Sequence, residues 1–236
     1  LLGTYLFSLV GIADEVFALK TTRTGVVLFS VFFIALHASL VPPFSFPVLG
    51  TSVGWLLQAG VANQYLFNPV FQPASFGVLL ALSIYLFLRG HPFWAVATAA
   101  IAALFHSTYL PSASALTAVY RALTWLAPKS AQADGRHSAL KAFMMGLLAL
   151  AIVAPVLLYN ALILDPTSPE AWARAQEIIV VDRIPHHSLP AVWVDNTVYA
   201  KMVLVVLVLV VVRRSRLMPI LLVPALIALL LTWMQM

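Results

Sequence analysis

The sequence predicts an all-α fold, a polytopic transmembrane helical bundle of about seven to eight spans, from its composition, its apolar runs and its basic residues. Apolar residues make up 62% of the 236 residues and charged residues only 9%, whereas a soluble domain has roughly 45–50% apolar and about 25% charged residues. The mean hydropathy is +0.99. A water-soluble core cannot bury this much apolar surface, so the lipid bilayer is expected to surround most side chains.

Eight runs of the sequence approach the roughly 20 mostly apolar residues that a transmembrane helix needs. They are residues 1–19, 25–41, 74–88, 92–110, 111–126, 142–164, 193–212 and 217–236. Pro92 and Pro111 stand near the starts of two runs, where the missing N–H of proline costs little. Pro155 falls inside the sixth run and predicts a kink there. The number of spans is seven if the first run, which is expected to be truncated, is discounted and eight if it is kept.

The basic residues fall on alternate connections between the runs. Ten of the thirteen Lys and Arg residues lie there, namely Lys20, Arg23, Arg89, Arg121, Lys129, Arg136, Lys141, Arg213, Arg214 and Arg216. Lys and Arg collect in the cytoplasmic loops of membrane proteins, so the loops at about 42–73 and 165–190 are predicted to lie outside. The net charge of +5 therefore reflects topology, and no nucleic-acid partner is predicted. The alternation also favours keeping the first run.

The whole chain, residues 1–236, is predicted to form a single transmembrane domain. It begins at Leu1 inside an apolar run and ends at Met236 without a polar tail, so it is expected to be a fragment cut at both ends. The alternative is a complete small protein with a processed start. The predicted partners are membrane lipids, and the sequence leaves the oligomeric state open.

Missing residue types and motifs exclude several kinds of chemistry. The chain has no cysteine, which excludes disulfides, thiolate metal sites and a cysteine nucleophile. It contains no Walker loop, GxSxG elbow, HExxH motif or dinucleotide fingerprint, and no cofactor is predicted. A metal site of His106, His186 and His187 is not predicted either, because no carboxylate stands at ligand spacing and adjacent histidines rarely bind one ion together.

The predicted outward loop 165–190 holds the densest cluster of ionisable side chains. Ser168 as a cap and Pro169 at the first helical position predict a short helix over 170–180. The four ionisable residues that follow this helix are Asp182, Arg183, His186 and His187. They are predicted to bind an anionic head group or to transfer protons, since arginine offers a planar fork for phosphate and histidine titrates near neutral pH. The alternative is a solvated loop in which the carboxylate and the guanidinium pair locally.

Two further polar residues stand out in apolar surroundings. His106 ends the fourth run at the same membrane face as the loop 165–190, and the alternative for it is a hydrogen-bonded interfacial residue. Lys201 is followed by eleven apolar residues up to Arg213, which places it roughly 18 Å from Arg213 at about 1.5 Å per residue. A charge inside the bilayer core is costly and marks a site by default, unless the long side chain carries the ammonium group to the outer interface.

Several segments resemble a known family. Residues 88–90 read Leu-Arg-Gly at the end of an apolar run, and the alanine-rich run 95–106 ends in Leu-Phe-His. With the segment 71–77, these features resemble the repeating helical-hairpin core of the C-type, polyprenyl-phosphate-sugar-dependent glycosyltransferase superfamily, and more closely a group of bacterial membrane proteins with that core. The segment 183–187 resembles the outward-loop pattern of that group. The resemblance covers about two-thirds of the chain.

The resemblance implies a glycosyltransferase-like enzyme of the plasma membrane, the bacterial inner membrane, that acts on a lipid-linked sugar at the outward face. Such enzymes carry a catalytic carboxylate in their first outward loop, which here would precede Leu1. In the leading hypothesis the residues that bind a polyprenyl-phosphate-linked substrate are His106, Arg183 and Lys201. The candidate catalytic residues, which would transfer protons, are Asp182, His186 and His187. A transporter with Lys201 beside its path and a non-catalytic membrane subunit are the alternatives.

Overall fold

The computed structural model describes residues 1–18, 22–37, 45–46, 51–52, 66, 72–126, 135–163, 168–183, 185 and 189–235. The α-helices within these residues are α1 Leu2–Phe17, α2 Arg23–His37, α3 Val78–Leu88, α4 Pro92–Phe105, α5 Leu110–Trp125, α6 Gly135–Ile163, α7 Pro169–Glu177, α8 Pro190–Trp193, α9 Asn196–Val211 and α10 Leu217–Gln235. The 3₁₀ helices Pro73–Gly77 and Ser107–Tyr109 precede α3 and α5, and a π-helical turn, Ile178–Arg183, follows α7. Strands β1 Ser45–Phe46 and β2 Thr51–Ser52 pair antiparallel. The predicted all-α fold is confirmed, with this two-residue strand pair as the exception among the described residues.

Several helices begin where the sequence predicts because local residues fix their first turns. Pro92 and Pro111 lie in the first turns of α4 and α5. The hydroxyl of Ser168 accepts a hydrogen bond from the backbone N–H of Ala171 at 3.2 Å and so caps α7. Pro155 lies inside α6, where the sequence predicts a kinked helix.

Two predicted boundaries differ from the structure by five residues or more. The fourth run, 92–110, is too long, because α4 ends at Phe105 and His106 adopts an extended conformation with φ −145° and ψ 105°. The sixth run starts at 142 in the prediction, whereas α6 begins at Gly135 and includes the preceding polar turn. Most of the predicted loop 42–73 lies outside the described residues.

Helix α4 lies at the centre of the bundle and contacts α3, α5 and α6. The positions where it meets these neighbours hold small residues that are at most 2% exposed, namely Ala95, Val96, Ala99, Ala100, Ala102 and Ala103. Short side chains let helix backbones approach closely. Helix α1 packs on α3, and α10 packs on α5 and α9.

The bundle has two ends of different character. The basic end carries the turn after α3, the end of α5, the start of α6 and the turn between α9 and α10, and its cations include Arg89, Arg121, Lys141, Arg213, Arg214 and Arg216. Its core cluster joins α4, α5, α6 and α10 through Ala95, Tyr120, Met145 and Ile220. The opposite end, the His106 end, has a smaller cluster of Ala99, Ala102, Ala103, Tyr109 and Ala113.

Polar contacts tie the helices together near the basic end. The Ser83 hydroxyl lies 2.7 Å from the carbonyl oxygen of Ala95 and 3.0 Å from the Tyr120 hydroxyl. The ring of Tyr120 stacks on Phe87 with centroids 4.3 Å apart. Arg89 donates a hydrogen bond to Glu15 at 2.7 Å, and this hydrogen bond raises the pKa of Arg89 above its ordinary value. The contact joins the ends of α1 and α3.

The outer surface of the bundle is largely apolar. Helix α9 exposes most of its valine and leucine side chains, among them Val203, Val206 and Val211. Two helices of the described residues are long and apolar enough to cross a membrane, Ser138–Ile163 and Leu217–Met234. Shorter apolar helices cover Arg23–Leu36, Pro73–Leu88, Pro92–Phe105 and Asn196–Val211.

Candidate functional site

The candidate site is a groove at the His106 end, between the end of α4 and the C-terminal half of α6. It has a volume of about 430 Å³ and is lined by Pro73, Leu104, Phe105, His106, Ser107, Pro155, Val156, Tyr159 and Asn160. Four of these side chains carry hydrogen-bonding groups and the other five are apolar. Ligand sites commonly combine an apolar wall with a few polar groups that fix the orientation of the ligand.

The end of α4 places His106 in this groove. Its backbone N–H donates the last helical hydrogen bond, to the carbonyl of Ala102 at 3.0 Å, and its extended backbone then leaves the helix axis. The half-buried imidazole stands edge-on to the ring of Tyr109, with centroids 5.5 Å apart and an angle of 83° between the planes. His106 thus keeps part of its imidazole accessible within the groove.

The opposite wall of the groove is the segment of α6 around Pro155. Proline has no N–H, so the carbonyl of Ala151, four residues earlier, lacks its usual helical partner. Tyr159 and Asn160 follow about one turn later, and both are exposed. The Asn160 amide can donate and accept hydrogen bonds, and so can the Tyr159 hydroxyl. This wall therefore faces His106 with neutral hydrogen-bonding groups.

The 3₁₀ helix Pro73–Gly77 supports the floor of the groove. Phe76 stacks on Phe105 with centroids 4.1 Å apart and planes 6° from parallel. The Tyr109 hydroxyl donates a hydrogen bond to the carbonyl of Ala74 at 2.5 Å. Gly77 leaves the space that this hydroxyl needs, because a Cβ there would overlap it. These contacts fix the backbone on both sides of His106.

The electrostatic character of the groove is set by His106. Among the described lining residues no side chain is a carboxylate, and His106 is the one that can become a cation. A ligand in the groove therefore meets groups that donate and accept hydrogen bonds, and no negative charge among the described lining residues. This arrangement favours neutral polar or anionic groups over cations.

The structure does not bring Asp182 or Arg183 into the groove. Both are exposed on the π-helical turn after α7. The described ion pairs do not include one between Asp182 and Arg183, which was the alternative. Arg174 and Glu177, three residues apart on α7, do pair at 2.6 Å. His186 and His187 lie outside the described residues, so their predicted role stays a prediction.

Lys201 lies on α9, which packs on α10. The side chain is half-buried, and the carboxylate of Asp195 is close enough to interact with it electrostatically. Asp195 also caps α9, since its Oδ1 accepts a hydrogen bond from the N–H of Val198 at 2.9 Å. Lys201 is not among the residues that line the groove.

Sequence reasoning missed Tyr159 and Asn160. A signal was present, because Asn160 is an amide within the apolar run 142–164, and polar groups inside such runs face neighbouring helices or cavities. Hydropathy alone did not show which face of α6 meets α4, since apolar residues surround the whole helix.

Comparison of the chain with protein-family models, with curated proteins and with solved structures finds no match. The glycosyltransferase resemblance therefore stays a prediction, and the geometry of the groove and the surface of the bundle are the observations from which a function is inferred.

Proposed function

We propose that the chain is a multi-pass membrane protein whose groove at the His106 end binds the polar head of a lipid-linked phosphate substrate. The observation that supports this most is the composition of the groove, where His106, Ser107, Tyr159 and Asn160 stand beside exposed apolar side chains such as Phe105. A lipid-linked ligand has the same two parts, a polar head and an apolar chain, joined at the membrane surface.

The apolar surface supports a bilayer location with the seven to eight spans that the sequence predicts. A soluble monomer rarely exposes large contiguous apolar patches, whereas α9 exposes an apolar surface along most of its length. The central helix, α4, has 14 residues, or roughly 21 Å at about 1.5 Å per residue. Its middle residues are buried against neighbouring helices, so that part of α4 needs no contact with lipid.

The tryptophans support the same location. All five that the structure describes lie on short helices or near helix ends: Trp94 and Trp125 at the basic end, and Trp172, Trp193 and Trp233 towards the other end. Tryptophan is enriched at the two membrane–water interfaces. If the basic end lies on the cytoplasmic side, the His106 end faces the outside of the plasma membrane, which in a bacterium is the inner membrane.

A phosphate group suits the donors of the groove. Hydrogen bonds to charged acceptors are roughly twice as strong as neutral ones, and protonated imidazole, hydroxyl and amide groups all donate. Arg183 and Lys201 are proposed to add positive charge near the same membrane face, although neither lines the groove. Asp182, His186 and His187 stay the candidates for proton transfer if the bound substrate is a sugar donor for glycosyl transfer.

Transport is the second candidate function, and Pro155 is the observation that favours it. A proline inside a membrane helix frees a backbone carbonyl and is tolerated where protein or a cavity satisfies it. However, the transport hypothesis also needs Lys201 beside the path, and α9 packs on α10 rather than on α6 among the main helix contacts described. The binding of a lipid-linked substrate is therefore the better supported function.

Binding of polyprenyl phosphate to the purified full chain in nanodiscs tests the proposal, with phosphorus NMR as the readout. We expect the wild type to bind polyprenyl phosphate, and an excess of the uncharged polyprenol, which contains no phosphorus, should not displace it. His106→Ala and Asn160→Ala should each weaken binding by about tenfold to hundredfold, because one hydrogen bond to a charged group contributes roughly 1.5–3 kcal/mol.

The matched control is His91→Ala, which removes an exposed histidine at the N-terminus of α4, at the basic end. It should leave binding unchanged. Displacement of polyprenyl phosphate by an excess of polyprenol, or an equal loss of binding in His91→Ala and His106→Ala, would contradict the assignment of the groove.

A further inference from the structure

A second cleft lies between α5 and α6 at the basic end, remote from the groove. It has a volume of about 330 Å³ and is lined by Ala118, Arg121, Ala122, Trp125, Ala139, Ala142 and Phe143. Four of these residues are alanines, whose short side chains leave the space between the two helices open. Among the described residues of the lining, Arg121 is the one that carries a charge.

Arg121 is anchored on α6 and still has free donors. Its Nε donates a hydrogen bond to the carbonyl of Ala142 at 2.9 Å. The guanidinium carbon would lie 3.0 Å from a Cβ on Gly146, so the glycine leaves the space in which the guanidinium lies. A guanidinium has five N–H donors, and this contact uses one. The Arg121 side chain is exposed, so the remaining donors are open to an anion.

The basic end has few carboxylates to neutralise its cations. Among the residues that the structure describes, the acidic ones at this end are Asp14 and Glu15, and Glu15 bonds to Arg89 at 2.7 Å. The described cations of the same end are Arg23, Arg89, Arg121, Lys141, Arg213, Arg214 and Arg216. An anion from outside the chain would therefore be attracted to a guanidinium at the mouth of a cleft.

We propose that this cleft binds an anionic glycerophospholipid, with Arg121 on the phosphate and an acyl chain against the alanines. Basic pockets between membrane helices on the cytoplasmic side bind anionic head groups. Trp125, 64% exposed at the end of α5, occupies the interfacial position that tryptophan prefers. The inference rests on the proposal that the chain spans a bilayer, and it does not depend on the substrate of the groove.

Lipid retention tests the inference. The full chain is reconstituted in nanodiscs that contain phosphatidylglycerol and phosphatidylcholine, released into detergent, and weighed with its bound lipid by native mass spectrometry. We expect the wild type to retain phosphatidylglycerol about tenfold more than phosphatidylcholine. Arg121→Gln should lose this preference, and Ala118→Phe, which fills the cleft without a change of charge, should lose it as well.

The matched control is Arg214→Gln, which removes one positive charge from the same end outside the cleft. It should keep the lipid preference. Equal losses in Arg121→Gln and Arg214→Gln, or full retention by Ala118→Phe, would overturn the cleft assignment. An excess of inorganic phosphate should not displace the lipid. Displacement would contradict the proposal that the ligand is a lipid.

The two proposals fail in different ways. A chain that inserts into nanodiscs and shows no preference for the anionic lipid overturns the cleft site alone. A chain that does not insert overturns the cleft site and the membrane location together.

Discussion

The two ends of the bundle are built differently. At the basic end, large side chains fill the core, with Tyr120 stacked on Phe87 and bonded to Ser83, and an ion pair between Arg89 and Glu15 joins α1 to α3. At the His106 end the core cluster is formed mainly by alanines, and a groove of about 430 Å³ separates the end of α4 from α6.

This difference indicates how one bundle can combine stability and binding. Near the basic end, Ser83, Phe87 and Tyr120 join α3 to α4 and α5 through buried hydrogen bonds and a stacked ring pair, so that region is expected to hold the helices together. The core of the His106 end contains fewer large side chains, and the groove beside it is lined by groups that can form hydrogen bonds with a ligand. The following predictions test this division, from the largest expected effect to the smallest.

The first prediction concerns the side of the membrane that each end faces. The chain has no cysteine, so a single introduced cysteine is labelled without background. Ser107→Cys at the His106 end should react fully with a membrane-impermeant maleimide added outside intact cells. Arg214→Cys at the basic end should react only after the membrane is permeabilised.

Labelling of both cysteines from the same side would contradict the proposed orientation. Gly3→Cys gives a useful comparison, because Gly3 lies at the start of α1, and the alternation of basic residues assigns that helix end to the outside.

The second prediction concerns the core of the basic end. Tyr120 is fully buried, so Tyr120→Ala should lower the free energy of unfolding by about 3–5 kcal/mol, the usual cost of deleting a buried aromatic ring. Tyr120→Phe removes only the contact with Ser83 and should cost about 1 kcal/mol. Unfolding in mixed micelles, followed by circular dichroism, measures both.

The control for this prediction is Tyr199→Ala, which removes an exposed tyrosine on α9 and should change stability by less than about 0.5 kcal/mol. If Tyr199→Ala and Tyr120→Ala lower the free energy of unfolding equally, the basic end is not the stabilising part of the bundle.

The third prediction concerns the floor of the groove. Gly77→Ala should displace the Tyr109 hydroxyl and weaken its bond to Ala74, at a cost of about 1–3 kcal/mol. Adding Tyr109→Phe to Gly77→Ala should recover part of the loss, because the overlapping hydroxyl is then gone. Gly3→Ala is the matched control, since nothing lies within 4 Å of a Cβ at Gly3. If Gly77→Ala does not lower the free energy of unfolding, the floor of the groove adjusts freely to the added Cβ.

Much of the fold was predictable from the sequence because its signals are local. Proline at the first turns of α4 and α5, and Ser168 before Pro169, determine helix starts through backbone chemistry that needs no partner helix. The clustering of the described basic residues at one end follows from the alternation of apolar runs and basic connections, which is also visible along the chain.

The site was predictable only in part, because it depends on contacts between distant segments. His106 was identified from its position at the end of an apolar run. Its groove partners Tyr159 and Asn160 lie more than fifty positions later, on a helix whose apolar residues do not reveal which face meets α4. Arg121 was interpreted as a topology signal, and its place over Gly146 depends on how closely α5 and α6 approach.

The alanines of α4 have a consequence for assembly. Alanine has no side-chain rotamers to lose, whereas burying a long side chain costs up to about 2 kcal/mol in conformational entropy. Lipid tails are as apolar as the side chains that face them, so little hydrophobic gain offsets the ordering of helices in a bilayer. The central helix, with five alanines among its most buried residues, is therefore ordered at almost no cost in side-chain freedom.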